Sequence, residues 1–171
     1  MAESEGSAPT GGQLFVVAVD FAECSRRALA WADERARRVS ARLHVVHVLP
    51  PTQAIPTIQP GMMPPVQPNL YQKQRASAEE ALGEFVSGCK SPCSAQVVDG
   101  EIVKAIVSVT EKQTPELLVM GTHGRSGVER LVLGSVSESV LRNVKCPVIV
   151  VPQSAPLPTP APDGGYKHVD R

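Results

Sequence analysis

The chain has 171 residues, 42% of them apolar and 20% charged, with acidic and basic residues balanced at 17 each. This composition suits one globular domain with a sizeable core. The zero net charge supplies no field for a nucleic-acid backbone or an acidic membrane surface, and no apolar run approaches the roughly 20 residues that a bilayer crossing needs.

Residues 1–12 are rich in Gly, Ser and Glu and carry neither the basic region nor the apolar segment of a secretory signal. They read as a disordered tail on a cytoplasmic protein. LFVVAV (14–19) is a continuous apolar, β-branched run, as expected of a strand covered on both faces. In residues 25–41, Ala28, Leu29, Ala32, Ala36 and Val39 recur near the helical period. LHVVHV (43–48) is a second buried-type strand; its His44 and His47 are not spaced as a helical ligand pair and read as structural histidines rather than metal ligands. A proline-rich stretch follows over 50–68, long for a loop in a compact domain, which points to a lid or mobile segment.

The spacing then predicts a helix over 71–89 with Ala78, Leu82, Phe85 and Cys89 on one stripe, and a weaker third strand over 94–98. A helix over 101–113 is expected to turn Ile102, Ala105, Ile106 and Val109 inward. ELLVM (116–120) is the fourth strand. The last helix, 135–144, is expected to bury Val136, Val140, Leu141 and Val144, and PVIVV (147–151) is the fifth strand. Residues 153–171, with alternating prolines, read as a second disordered tail, so the domain spans 13–152. Strands separated by helices of this length must run parallel, with right-handed crossovers, giving a doubly wound α/β sheet. Such sheets bind ligands beyond the carboxyl ends of the strands, where the strand order reverses.

The four cysteines include one close pair, Cys89 and Cys93 in CKSPC, with no second pair to complete a zinc site. Ordinary free thiols fit a reducing compartment; a redox pair is the other reading.

The chemistry concentrates after the fourth strand. Gly121-Thr122-His123-Gly124 is followed, nine residues on, by Gly134-Ser135 at the start of the last helix. A helix N-terminus presents unpaired N–H groups and a partial positive charge, and glycine lets backbone approach an anion closely. With the hydroxyls of Ser135 and Ser137, this is a plausible polyphosphate cradle. The spacing G-x2-G-x9-G-[ST], in VMGTHGRSGVERLVLGSVSESVLRNVKCPVIVVP (119–152), resembles the nucleotide-binding signature of the universal stress proteins, and VVAVDFAE, LHVVHV and ELLVMGTHG fall in the family's order.

The resemblance implies a five-stranded parallel sheet in the order 3-2-1-4-5, a Rossmann-like adenine nucleotide α-hydrolase-like fold. It implies ATP binding, with Mg²⁺ bridging phosphate oxygens. By similarity, Asp20 and Val48 lie beside adenine and ribose. Gly121, Gly124, Gly134, Ser135, Val136 and Ser137 line the phosphates, with Met120 and His123 nearby. Plainer roles compete: Asp20 as a helix cap, His123 as a turn donor, and Arg125 and Gly127 as loop residues outside the required set. The chain departs from the family at Ala22, which lacks a capping hydroxyl, at Glu116 in place of the usual Asp, and at Ile102 where proline is common. No phosphate-loop lysine motif, dinucleotide fingerprint or nucleophile elbow is present, and no general base is marked. The expected function is therefore a nucleotide-dependent stress-response switch or sensor, with slow ATP hydrolysis at most. A dimeric scaffold without nucleotide, and an enzyme of the related hydrolase-like superfamily, are the alternatives. A homodimer pairing through the apolar edge strand 147–151 is expected.

Overall fold

The computed structural model describes residues 12–51, 69–122 and 133–156. Nine elements alternate along the chain: β1 (Leu14–Val19), α1 (Glu23–Val39), β2 (Arg42–Leu49), α2 (Leu70–Val86), β3 (Cys93–Asp99), α3 (Ile102–Gln113), β4 (Leu117–Gly121), α4 (Ser135–Asn143) and β5 (Val148–Val151). The five strands form one parallel sheet in the order β3-β2-β1-β4-β5. The continuous apolar runs become the central strands because both faces are covered: Phe15 to Val19 of β1 are all buried.

Two hydrophobic layers sandwich the sheet. On one face Ala28, Leu29, Ala32 and Ala36 of α1 and Ala78 and Leu82 of α2 pack on Phe15, Val17, Val45 and Val119. On the other face Ala105, Ile106 and Val109 of α3 and Val140 of α4 pack on Val16, Val46, Leu118 and Met120. The alternation of β5 serves both layers, with Ile149 and Val151 toward the first and Val148 and Val150 toward the second. Helices α1 and α3 stop by turning left-handed at Ser40 (φ 54°) and Thr114 (φ 44°), and each of those N–H groups returns to the last turn.

Three expectations from the sequence change. The second helix ends at Val86, so Cys89 leaves the helical stripe and sits in the turn beyond it. Ile102 is 36% exposed, because it occupies the first position of α3, past the core-facing turn. Leu141 is 47% exposed, since Val140 alone of that pair points at the sheet in this short helix. Among the described residues no helix is long and apolar enough to cross a membrane.

Helix α2 is attached by little. Across 17 residues it buries only Ala78 and Leu82, and its first turns are tied to the end of β3 by Asp99, which accepts from the Tyr71 hydroxyl and the Arg75 guanidinium on an exposed surface. Exposed ion pairs contribute little, so Leu82 is the main anchor. Leu82→Ala is expected to lower the unfolding free energy by about 2–5 kcal/mol, as for other fully buried leucines. A urea titration checks this, and an unchanged midpoint would show that α2 is held by other contacts.

Candidate functional site

At the carboxyl ends of the strands lies a cavity of about 210 Å³. Its apolar lining comes from Val46 and Val48 of β2, Ile102 and Ile106 of α3, and Met120 of β4; its polar lining comes from Asp20, Ser25 and the segment Gly134–Ser137. Eight of the residues singled out from sequence therefore meet in one place: Asp20, Val48, Met120, Gly121, Gly134, Ser135, Val136 and Ser137. His123 and Gly124, with Arg125, Gly127 and residues 52–68 of the proline-rich stretch, lie outside the described residues.

The start of α1 fixes one wall. The cap residue Ala22 makes no side-chain bond, as its missing hydroxyl implied. Asp20 takes over: its Oδ1 accepts from the Ala22 N–H (3.1 Å) and from the Ser25 hydroxyl (2.6 Å), while Ser25 Oγ accepts from the Asp20 N–H (3.1 Å). This reciprocal pair serves as a displaced capping box. Asp20 is thus both a cap and a cavity residue, and the two readings of it are compatible.

Between Asp20 and Ala22 the chain passes through Phe21 at φ 66°. For a bulky residue this is a costly conformation, of order 1–3 kcal/mol, which persists only when its surroundings enforce it. Here the Phe21 ring lies 4.3 Å from the His47 ring and meets Phe85 edge-on at 5.5 Å. His47 is in turn oriented by donating its Nδ1–H to the Val19 carbonyl (2.9 Å); a carbonyl can only accept, so that nitrogen carries the proton. His47 lines the cavity, as do Ser25 and Ile106, and sequence reasoning had not placed any of them in the site. The signal for His47 was available: it stands at the carboxyl end of a central strand, one residue before Val48. His44 pairs its Nδ1 with the Ser94 hydroxyl at 2.9 Å, and burial holds its pKa below the ordinary imidazole value.

Helix α4 supplies the opposite chemistry. Its N-cap is Gly134, which has no side chain to offer the first-turn N–H groups of Ser135, Val136 and Ser137. Those donors have no acceptor within the helix. Gly134 itself is tied to β4 by its N–H on the Thr122 carbonyl (2.8 Å). Ser137 is 4% exposed and donates its hydroxyl to the Gly121 carbonyl at 2.9 Å. Its proton therefore clamps α4 to β4, so the donors open toward the cavity here are backbone N–H groups and the Ser135 hydroxyl. Among the described residues no group of three or more His, Cys, Asp or Glu is arranged to hold a metal ion.

The two described glycines of the signature differ physically. A Cβ at Gly121 would stand 2.6 Å from the Cβ of Cys24 and 3.0 Å from its carbonyl carbon, so the first turn of α1 can approach β4 only across a glycine. Gly134 has φ −59° and ψ 148°, open to any residue.

Comparison with known proteins agrees with this architecture. The sequence profile of the universal stress protein family matches residues 13–152. Universal stress protein A homolog 1 of Coxiella burnetii is 31% identical over 138 residues, covering 80% of this chain and 93% of that protein. Among solved structures, a universal stress protein in complex with cAMP is similar with a TM-score of 0.57 and 26% identity, covering 84% of this chain and 98% of that one. The Archaeoglobus fulgidus universal stress protein in complex with dAMP matches in fold with a TM-score of 0.59 and 23% identity, over 81% and 97% of the two chains.

Gly121→Ala is expected to cost about 1–3 kcal/mol of stability, the usual range for overpacking. Cys24→Ala in the same chain should not restore it, because the clashing Cβ remains. Thermal unfolding of the two variants against the unsubstituted chain checks this; a neutral Gly121→Ala would show that α1 can move away freely.

Proposed function

The chain belongs to the universal stress protein family, and from that premise we propose that its cavity binds an adenine nucleotide, ATP with Mg²⁺ in the cell, and that loading and release act as a stress-response switch. The observation that carries this reading is the N-terminus of α4, which opens on the cavity with a glycine cap and three first-turn N–H groups. An anion is the natural partner for such an end. The apolar walls of Val46, Val48, Ile102, Ile106 and Met120 suit a flat base, and Asp20 suits a ribose hydroxyl. The cAMP complex of a protein 26% identical supports an adenine nucleotide as the ligand class. With no acidic cluster among the described residues, a divalent cation would be carried mainly by phosphate oxygens and water. His123 and Gly124 belong to the same proposal by their place in the signature.

The direct test is to denature the purified protein, identify released small molecules by mass, and titrate ATP with Mg²⁺ if none appears. A chain that neither carries nor binds an adenine nucleotide would overturn the reading. Gly134→Asp separates binding from folding. An aspartate at this cap stabilises α4 or leaves it unchanged, yet it sets a carboxylate where the phosphates would sit. ATP affinity is expected to fall by at least about tenfold, as like-charge repulsion at close range predicts, with the unfolding midpoint unchanged or raised. Undiminished affinity would place the phosphates elsewhere.

We also propose a two-fold dimer through β5. This strand closes the sheet on one side, and Val148, Ile149 and Val150 are only half-buried. A partner strand would complete its unpaired edge. Light scattering at tens of micromolar should give twice the chain mass; a monomer would refute the pairing.

A further inference from the structure

Asp20 enters the cavity wall just past the carboxyl end of β1, and the first turn of α1 grips it. Its Oδ1 accepts the Ser25 hydroxyl at 2.6 Å and the Ala22 N–H at 3.1 Å, while the Asp20 N–H is donated to Ser25 Oγ at 3.1 Å. Ser25 thus holds one residue twice, by its carboxylate and by its backbone. That turn is itself seated on β4: the Cys24 Cβ lies 2.6 Å from where a Cβ on Gly121 would stand. The placement of the carboxylate is therefore referred back to the sheet through α1.

Ser25 lines the cavity but is only 3% exposed. A serine hydroxyl carries one proton. Here that proton goes to Asp20, so Ser25 has no donor left for a ligand. The carboxylate differs. It offers about four lone-pair sites, and the two bonds on Oδ1 orient it without filling it. An acceptor locked in advance takes a ligand hydroxyl at less entropic cost than one that must be ordered on binding.

We propose that Ser25 is a positioning residue, which aims the Asp20 carboxylate at the sugar and makes the cavity select ribonucleotides over their deoxy analogues. This rests on the nucleotide reading above and adds which part of the ligand is discriminated. A ribose hydroxyl donates to Asp20. An analogue without that hydroxyl leaves the carboxylate facing the sugar with no donor, and a hydrogen bond to a charged acceptor is lost. Removal of the Ser25 hydroxyl takes away the 2.6 Å bond that orients the carboxylate, so the preference fades. The share of affinity carried by phosphates at the N-terminus of α4 is unaffected.

The test is a calorimetric titration of the unsubstituted chain, Ser25→Ala and Asp20→Ala with the Mg²⁺ complexes of ATP, 2′-deoxy-ATP and 3′-deoxy-ATP. In the unsubstituted chain at least one deoxy analogue is expected to bind about tenfold or more weakly than ATP, the usual size of a lost hydrogen bond to a charged group. Ser25→Ala should close most of that gap by weakening ATP, with the discriminated analogue unchanged. Asp20→Ala should abolish it. A purely structural Ser25 would weaken all three nucleotides alike and leave the gap intact. If the alanine variant does not fold, Ser25→Cys gives the same comparison, since it fills the space with a weak donor. Equal affinity of the unsubstituted chain for all three nucleotides, or a gap that survives in the Ser25 variant, would overturn the positioning role while leaving nucleotide binding in place. A chain that binds none of the three would overturn both.

Discussion

The parallel pairing of β1 with β4 is the constraint on which the rest of the molecule depends. Strand order reverses there: from β1 the chain winds outward through β2 to β3, then crosses back to β4 and continues to β5. Right-handed crossovers then force α1 and α2 onto one face and α3 and α4 onto the other. At the carboxyl ends of these two central strands the helices α1 and α4 therefore part to opposite faces, and a crevice opens between them. Asp20, Gly121 and the first turn of α4 meet there because the topology leaves them no other place.

How tightly that crevice closes is set by one absent atom. Cys24 in the first turn of α1 rests where a side chain at position 121 would begin. The Gly121 carbonyl accepts the Ser137 hydroxyl, which draws α4 toward β4. Gly121 thus holds both helices close to the strand end, one through its missing Cβ and one through its backbone oxygen. Gly134 contributes differently, since its backbone conformation would accept any residue and its lack of a side chain matters for what the helix end leaves open. Two glycines of one spaced signature are thereby kept by two unrelated physical demands.

The strands and their order were legible in the sequence because burial on both faces leaves continuous β-branched runs, as in 14–19 and 43–48, and because helices between strands admit only parallel pairing. Helix interiors were legible through Ala28, Ala32, Val109 and Val140, all of which are buried. The failures fall at element ends. Ile102 and Leu141 fit the helical period, yet Ile102 lines the open cavity and Leu141 stands exposed beside the buried Val140, and periodicity carries no information about where a neighbour stops. The contact of Phe21 with His47 was not legible because it joins residues 26 positions apart, one in the turn after β1 and the other on β2, through a left-handed conformation that no local pattern demands of phenylalanine. The difference between Gly121 and Gly134 was equally invisible, since it rests on the proximity of Cys24 across the fold.

The glycine cap also bears on how a switch would work. A helix that ends in Ser, Thr, Asp or Asn gains about 1 kcal/mol over an apolar cap by satisfying its own N–H groups. Glycine forgoes that bond and leaves three donors of α4 for another acceptor. An anion seated there in partly buried surroundings contributes up to about 2 kcal/mol, more than the absent side chain would. Under the proposed function, the ligand itself becomes the cap. Binding would then stabilise α4 and, through Ser137 and Gly121, the junction of β4 with α1. By linkage, whatever loosens that junction weakens the nucleotide to the same extent. Under the proposed function, occupancy of the cavity would report a cellular state in this way, because it would change how firmly α1 and α4 are fastened to β4.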